Sequence, residues 1–266
     1  MSYTANAVRW IARIGYGARG LVYLAVGVIA LHAALEFEQA RDVRGAMREI
    51  STHAGGQIAL GGLALGLVAY GLWRLVQTLL DVDDHGWSPR ALAVRGGLLI
   101  SAALHFSLAW GCIQIAMRWS SGGGKPVQHA VERTLDWPYG RPLVIVAGIA
   151  VAGAGVAHLF KAARAGYRKW FDATPAAMRW IDLVSRFGLT ARGLLFVGMA
   201  VFVIYSAITL DPSAARGIEG VMLWVQERVY GRILLGVLAL GVTAFGAYSL
   251  IEAFVRRVGL GRHIPR

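Results

Sequence analysis

Six long apolar runs constrain this chain more than any other feature. A backbone crossing about 30 Å of hydrocarbon must satisfy its own polar groups, which takes roughly 20 mostly apolar residues in a helix. Runs of that kind cover approximately Arg19 to Leu35, Gly56 to Leu80, Ala91 to Met117, Pro142 to Ala163, Gly188 to Leu210 and Arg232 to Phe254. Little sequence remains between them for a soluble domain. Composition agrees: 56% of the residues are apolar and only 16% charged, where soluble domains carry about a quarter charged. The first run follows Arg9 and Arg13, as a signal peptide would follow its basic region, but the recurrence of such runs argues that it is retained. A single cysteine, Cys112, excludes an internal disulfide framework and a cysteine-based metal site within one chain.

The net charge of +12 takes its meaning from where it lies. Seventeen of the 27 Lys and Arg residues fall at the N-terminus, in the second and fourth connections and in the tail, and ten in the other three connections. With the acidic residues included, the two sides carry about +11 and +1. Basic residues accumulate on the cytoplasmic side of membrane proteins, so both termini are expected there. The excess reads as a topology signal that also attracts anionic headgroups, not as a nucleic-acid footprint.

The chain also repeats itself. Arg13-Ile-Gly-Tyr-Gly-Ala-Arg19-Gly20 and Arg186-Phe-Gly-Leu-Thr-Ala-Arg192-Gly193 share one pattern, of which the third run keeps Arg95-Gly96. Even runs open with Tyr139-Gly140-Arg141 and Tyr230-Gly231-Arg232, reduced to Ala54-Gly55-Gly56 in the first unit. The expected fold is all-α: a six-transmembrane-helix bundle of three parallel tandem hairpins, 1–84, 85–172 and 173–266, about a pseudo-threefold axis along the membrane normal. These motifs closely resemble the bacterial membrane family called domain of unknown function 1206, in which a transmembrane helix pair occurs three times. The resemblance covers nearly the whole chain and implies a bacterial inner-membrane protein; no activity comes with it. Pro89-Arg90-Ala91 and the missing Tyr-Gly-Arg of the first unit depart from the pattern.

Helices associate in lipid through small residues that let backbones approach. Gly62 and Gly66, and a fourth run with Gly or Ala at most positions from 147 to 157, place the even helices towards the centre and the bulkier odd helices outside. Aligning the far ends of the even runs makes Arg74, Lys161 and Glu252 equivalent, a candidate intramembrane charge cluster in which Glu252 pairs with Lys161 or Arg74 near the axis. Arg19, Arg95 and Arg192, at equivalent helix starts, are candidate lipid or anion contacts. Short amphipathic stretches at Gly45 to Ile50, His129 to Leu135 and Gly217 to Val229 suit helices lying in the interface.

No catalytic residues, cofactor or metal ligands are expected. Ser120 to Pro126 is glycine-rich but lacks phosphate-loop spacing, and His129 with Glu132 lacks a third ligand. His32, His105 and His158 leave a haem-binding subunit as a minor alternative. Two function classes remain open: a structural or accessory protein packing with lipids, itself or a larger membrane complex, and a small-solute or ion transporter along the repeat axis.

Overall fold

The computed structural model describes residues 3–36, 43–82, 86–119 and 126–257. The glycine-rich segment 120–125 and the basic residues beyond Arg257 lie outside them. The fold is all-α, with nine α-helices among the described residues: α1 (Tyr3–Glu36), α2 (Val43–Thr52), α3 (Gly56–Leu79), α4 (Pro89–Ala116), α5 (Pro126–Leu135), α6 (Gly140–Ala163), α7 (Pro175–Thr209), α8 (Ile218–Gln226) and α9 (Gly231–Val255). Helices α1, α3, α4, α6, α7 and α9 are long and apolar enough to span a bilayer, and the chain is a multi-pass membrane protein. The short helices α2, α5 and α8 each stand between the two long helices of a pair, where the amphipathic stretches place them.

Two helices begin well before the apolar runs. Hydropathy marks where a helix enters hydrocarbon, whereas Ala and Arg continue it beyond that point at little cost. Hence α1 starts at Tyr3 and α7 at Pro175, and Arg19 and Arg192 lie in mid-helix instead of at helix starts. The start of α7 is set by Thr174, whose side chain accepts from Ala177 N ahead of Pro175. Ser88 does the same for Ala91 N at α4. A hydroxyl cap followed by Pro is a strong helix start.

The starts of the even-numbered spans explain their glycines. A Cβ at Gly56, Gly140 or Gly231 would lie 2.0, 1.9 or 2.1 Å from the carbonyl oxygen of Ile50, Thr134 or Gln226. In each unit the second spanning helix thus begins against the end of the short helix before it. Gly55, at φ +77°, turns the chain into α3 with a left-handed conformation that costs glycine little.

Between units the long helices pack closely along α3–α4, α6–α7 and α1–α9; within units α1 packs on α3 and α7 on α9, but α4 and α6 share no packed interface. The six spans therefore form an arc, α4-α3-α1-α9-α7-α6, a ring with one seam left open. Counted one to six along the chain, odd and even spans alternate around it. The sequence expectation of even helices at the centre is corrected: α1 and α9 are the most buried, and α6, small on nearly every face, is the least. Small residues permit close approach, but α6 has one full neighbour on which to use it.

The core divides by depth. Towards the end carrying α2 and α8, Val22, Val26, Ala30, Leu60, Leu67, Leu235, Ala239 and Met222 form one apolar cluster with Ala109 and Cys112 of α4. At the opposite, basic end, aromatic residues take over: Tyr16, Tyr70 and Trp73 on one side, and Tyr167, Phe171, Phe245 and Tyr248 on the other.

Candidate functional site

Glycine contacts establish the register of the even spans. A Cβ at Gly246 would lie 2.9 Å from Gly20 O, and one at Gly155 2.9 Å from Gly193 O. Gly66 abuts Ala18 as Gly241 abuts Ala191, and Gly15 meets Tyr70 as Gly188 meets Phe245. Since Gly15 and Gly188 are the matching glycines of the shared start motif, Gly66, Tyr70 and Gly71 correspond to Gly241, Phe245 and Gly246. The layer containing Lys161 and Glu252 is then completed by Gln77. The sequence alignment is slipped by about one helical turn in the first unit, because it matches Tyr70 to Tyr248; Arg74 stands level with His158 and Ser249 instead.

Around these layers a polar site forms at the basic end. Arg19, 5% exposed, and Glu252, 2% exposed, meet there at 2.5 Å between Nη2 and Oε2. Arg19 Nε donates to Ser249 Oγ at 3.1 Å, and its Nη1 donates to the Tyr70 hydroxyl. Arg256 Nη1 donates to the other carboxylate oxygen, Oε1, at 2.8 Å. Lys161 Nζ lies 4.0 Å from that oxygen and donates to the Tyr248 hydroxyl at 2.7 Å. Arg74 donates to the Tyr70 hydroxyl through Nη2 and to Gln77 Oε1 at 2.8 Å through Nη1. Glu252 therefore pairs first with Arg19 and Arg256, with Lys161 as a more distant cation, and reaches Arg74 only by way of Arg19 and Tyr70.

Aromatic faces carry the rest of the cationic load. The Arg19 guanidinium lies 5.1, 4.9 and 5.2 Å from the ring centroids of Tyr16, Tyr70 and Phe245. Arg256 sits between Tyr16 and Trp170, at 5.3 and 5.1 Å. Such contacts gain strength where water is excluded. The floor is the connection between α6 and α7, tied to the end of α9 by Arg257 N to Trp170 O at 2.7 Å and by Asp172 N to Val255 O at 3.1 Å. Tyr167 donates to Asp182 Oδ1 at 3.0 Å, and burial, reinforced by that carboxylate, pushes its hydroxyl up to about 12.

A cavity of about 300 Å³ opens within this site. All six spans contribute to its wall: Arg19, Arg74 and Gln77 from α1 and α3, Val94 and Leu98 from α4, His158 and Lys161 from α6, Leu189 from α7, and Phe245, Tyr248 and Glu252 from α9, with Arg256 just past its end. Lys169 and Trp170 complete the floor. Five of the lining residues are basic and one is acidic.

The other sequence candidates are placed differently. Arg95 stands apart, donating to Thr78 O at 2.9 Å and stacking 4.3 Å over Trp87. Arg192 lies among Tyr23, Phe196 and Phe245, 4.5 to 4.6 Å from each ring, with Nε and Nη1 buried and without a hydrogen-bond partner among the described residues. His105 and His158 donate through Nδ1 to the carbonyls of Ser101 and Ala154, at 2.6 and 2.7 Å, and pack against Tyr70 and Phe196. His32 is exposed. No group of three or more metal-ligating side chains occurs among the described residues. Sequence reasoning missed Arg256, read as part of the tail, although it follows Glu252 by four residues, the spacing at which a helical acid and base meet.

Three segments, residues 14–81, 96–165 and 187–256, match the family described as Domain of Unknown Function (DUF1206). Each contains one pair of long helices. The chain is also similar to the uncharacterized protein YxxB of Bacillus subtilis (strain 168), 28% identical over 254 residues that cover 94% of this chain and 92% of the relative. No solved structure matches.

Proposed function

This chain belongs to the DUF1206 family of three-repeat membrane proteins, and on that premise we propose that it is a non-catalytic accessory protein of the bacterial inner membrane. In this reading it packs with lipids or with a larger membrane complex, and its basic end, carrying both termini, faces the cytoplasm and its anionic headgroups. The observation that carries the reading is the division of the core. Polar groups gather at one end, while the half towards α2 and α8 is filled by aliphatic side chains from α1, α3, α4, α7 and α9. A path along the repeat axis would have to cross that packing. The apolar outer faces, with Leu65, Ile58, Val146, Ile149, Val201 and Phe254 exposed, are those of a lipid-facing or partner-facing surface.

A second reading, in which the cavity is the inward vestibule of a transporter, is favoured by its polar wall and by the residues that all six spans contribute to it. One experiment separates the two. Full-length protein reconstituted in liposomes is expected to pass potassium, chloride and phosphate no faster than protein-free vesicles, and to retain lipids or protein partners on purification in mild detergent. Flux above the empty-vesicle rate that Lys161→Gln alters replaces the accessory reading with the transport reading.

A further inference from the structure

We propose that the cavity at the basic end is a binding site for one phosphate-class oxyanion, held by Lys161 and Arg74 beside the seam between α4 and α6. Arg19 and Arg192 occupy the same motif position in the first and third units. The neighbouring helix of Arg19 is α9, which supplies Ser249 and Glu252 as acceptors. The corresponding neighbour of Arg192 is α6, joined by the same glycine contact one layer away, Gly193 with Gly155. At the two equivalent positions α6 carries His158 and Lys161. The third unit's carboxylate is thus replaced by a second cation, and Arg192, outside the cavity wall, keeps two buried nitrogens without a hydrogen-bond partner among the described residues.

Buried cations are ordinarily paired. Here the cavity places five basic side chains around one carboxylate already engaged by Arg19 and Arg256. Arg74 Nε, on its wall, is likewise buried without a partner among the described residues. An oxyanion with several acceptor oxygens supplies what the second unit lacks, and guanidinium and ammonium groups together suit phosphate. The cavity reaches the seam, since Val94 and Leu98 line it from α4 while His158 and Lys161 line it from α6. A phosphate on a lipid head enters there with its chains left in the bilayer; a free phosphate enters from the basic end. The site rests on the accessory reading only in treating the ion as held and not passed, which the flux assay decides separately.

The test uses the full chain in detergent. Melting is compared in sodium phosphate and in sodium chloride of equal ionic strength, and retention of phosphatidic acid against phosphatidylcholine is measured by native mass spectrometry. Stabilisation by inorganic phosphate assigns the free ion as sufficient; retention of phosphatidic acid without an inorganic phosphate effect assigns the lipid head. Lys161→Glu restores the carboxylate of the third unit, so it is expected to melt no lower than the parent and to lose the anion effect. Lys161→Gln is expected to bind about tenfold more weakly, the equivalent of one charge-assisted hydrogen bond, and serves if the first variant does not fold. Equal melting in both salts with no retained phosphatidic acid overturns the proposal. So does either variant that binds as tightly as the parent.

Discussion

At Glu252 one carboxylate serves two guanidinium groups inside the bundle, and removing its charge takes a counter-ion from each. Breaking a buried pair from one side typically costs about 3–5 kcal/mol, because the remaining ion has lost the partner that offset its desolvation. Glu252→Gln keeps the shape and loses the charge, and is expected to destabilise the protein by about 3 kcal/mol, read as a lowered melting temperature in detergent. Tyr70→Phe removes only a hydroxyl that Arg19 and Arg74 both use, and the expected loss is about 1 kcal/mol, as for one hydrogen bond. A larger effect for Tyr70→Phe than for Glu252→Gln would show that the phenol, not the carboxylate, organises the site. The sequence made Glu252 conspicuous as an acid within a span, and Arg19 conspicuous through the repeated motif. It does not show that the two meet, since α1 and α9 lie at opposite ends of the chain and only the arrangement of units brings them together.

Among the elements, the glycines that matter are those where backbones touch. A Cβ at Gly246 would lie 2.6 Å from Leu24 N and 2.9 Å from Gly20 O, whereas one at Gly153 meets nothing within 4 Å. Gly246→Ala is expected to cost about 1–3 kcal/mol through forced separation of α1 and α9. Gly153→Ala is expected to be neutral or stabilising. Thermal melts of the two variants check the pair, and equal losses would remove close backbone contact as the cause. The spans, the three short helices and the threefold repetition were all legible in hydropathy and in the shared motifs. The register within the repeat was legible too, by another route: Gln77, Lys161 and Glu252 each follow the starting glycine, Gly56, Gly140 or Gly231, by 21 residues. Matching aromatic residues instead misled the alignment, because Tyr70 and Tyr248 occur on different turns. Composition likewise suggested a central α6, since it records which surfaces can approach closely and not how many neighbours are present to do so.

For the whole molecule, three tandem pairs would close a ring if every interface formed, and here five form and the sixth does not. The seam could not be read from the sequence, because α4 and α6 are as apolar as the helices that do pack. Its mechanical consequence follows from counting supports. Each long helix in the interior of the arc is clamped by two long neighbours, while α4 and α6 have one apiece, so α1 with α9 forms the back of the arc and α4 and α6 its two jaws. Amide exchange is expected to be faster along α4 and α6 than along α1 and α9, as mass spectrometry of the full chain can measure; uniform protection across all six would mean that the jaws are closed. A jaw can swing outward by loosening one helix pair, without disturbing the Arg19–Glu252 bond in the back. Width at the mouth of the arc and cohesion of its spine are thus set by separate contacts, leaving this small bundle free to vary one while conserving the other.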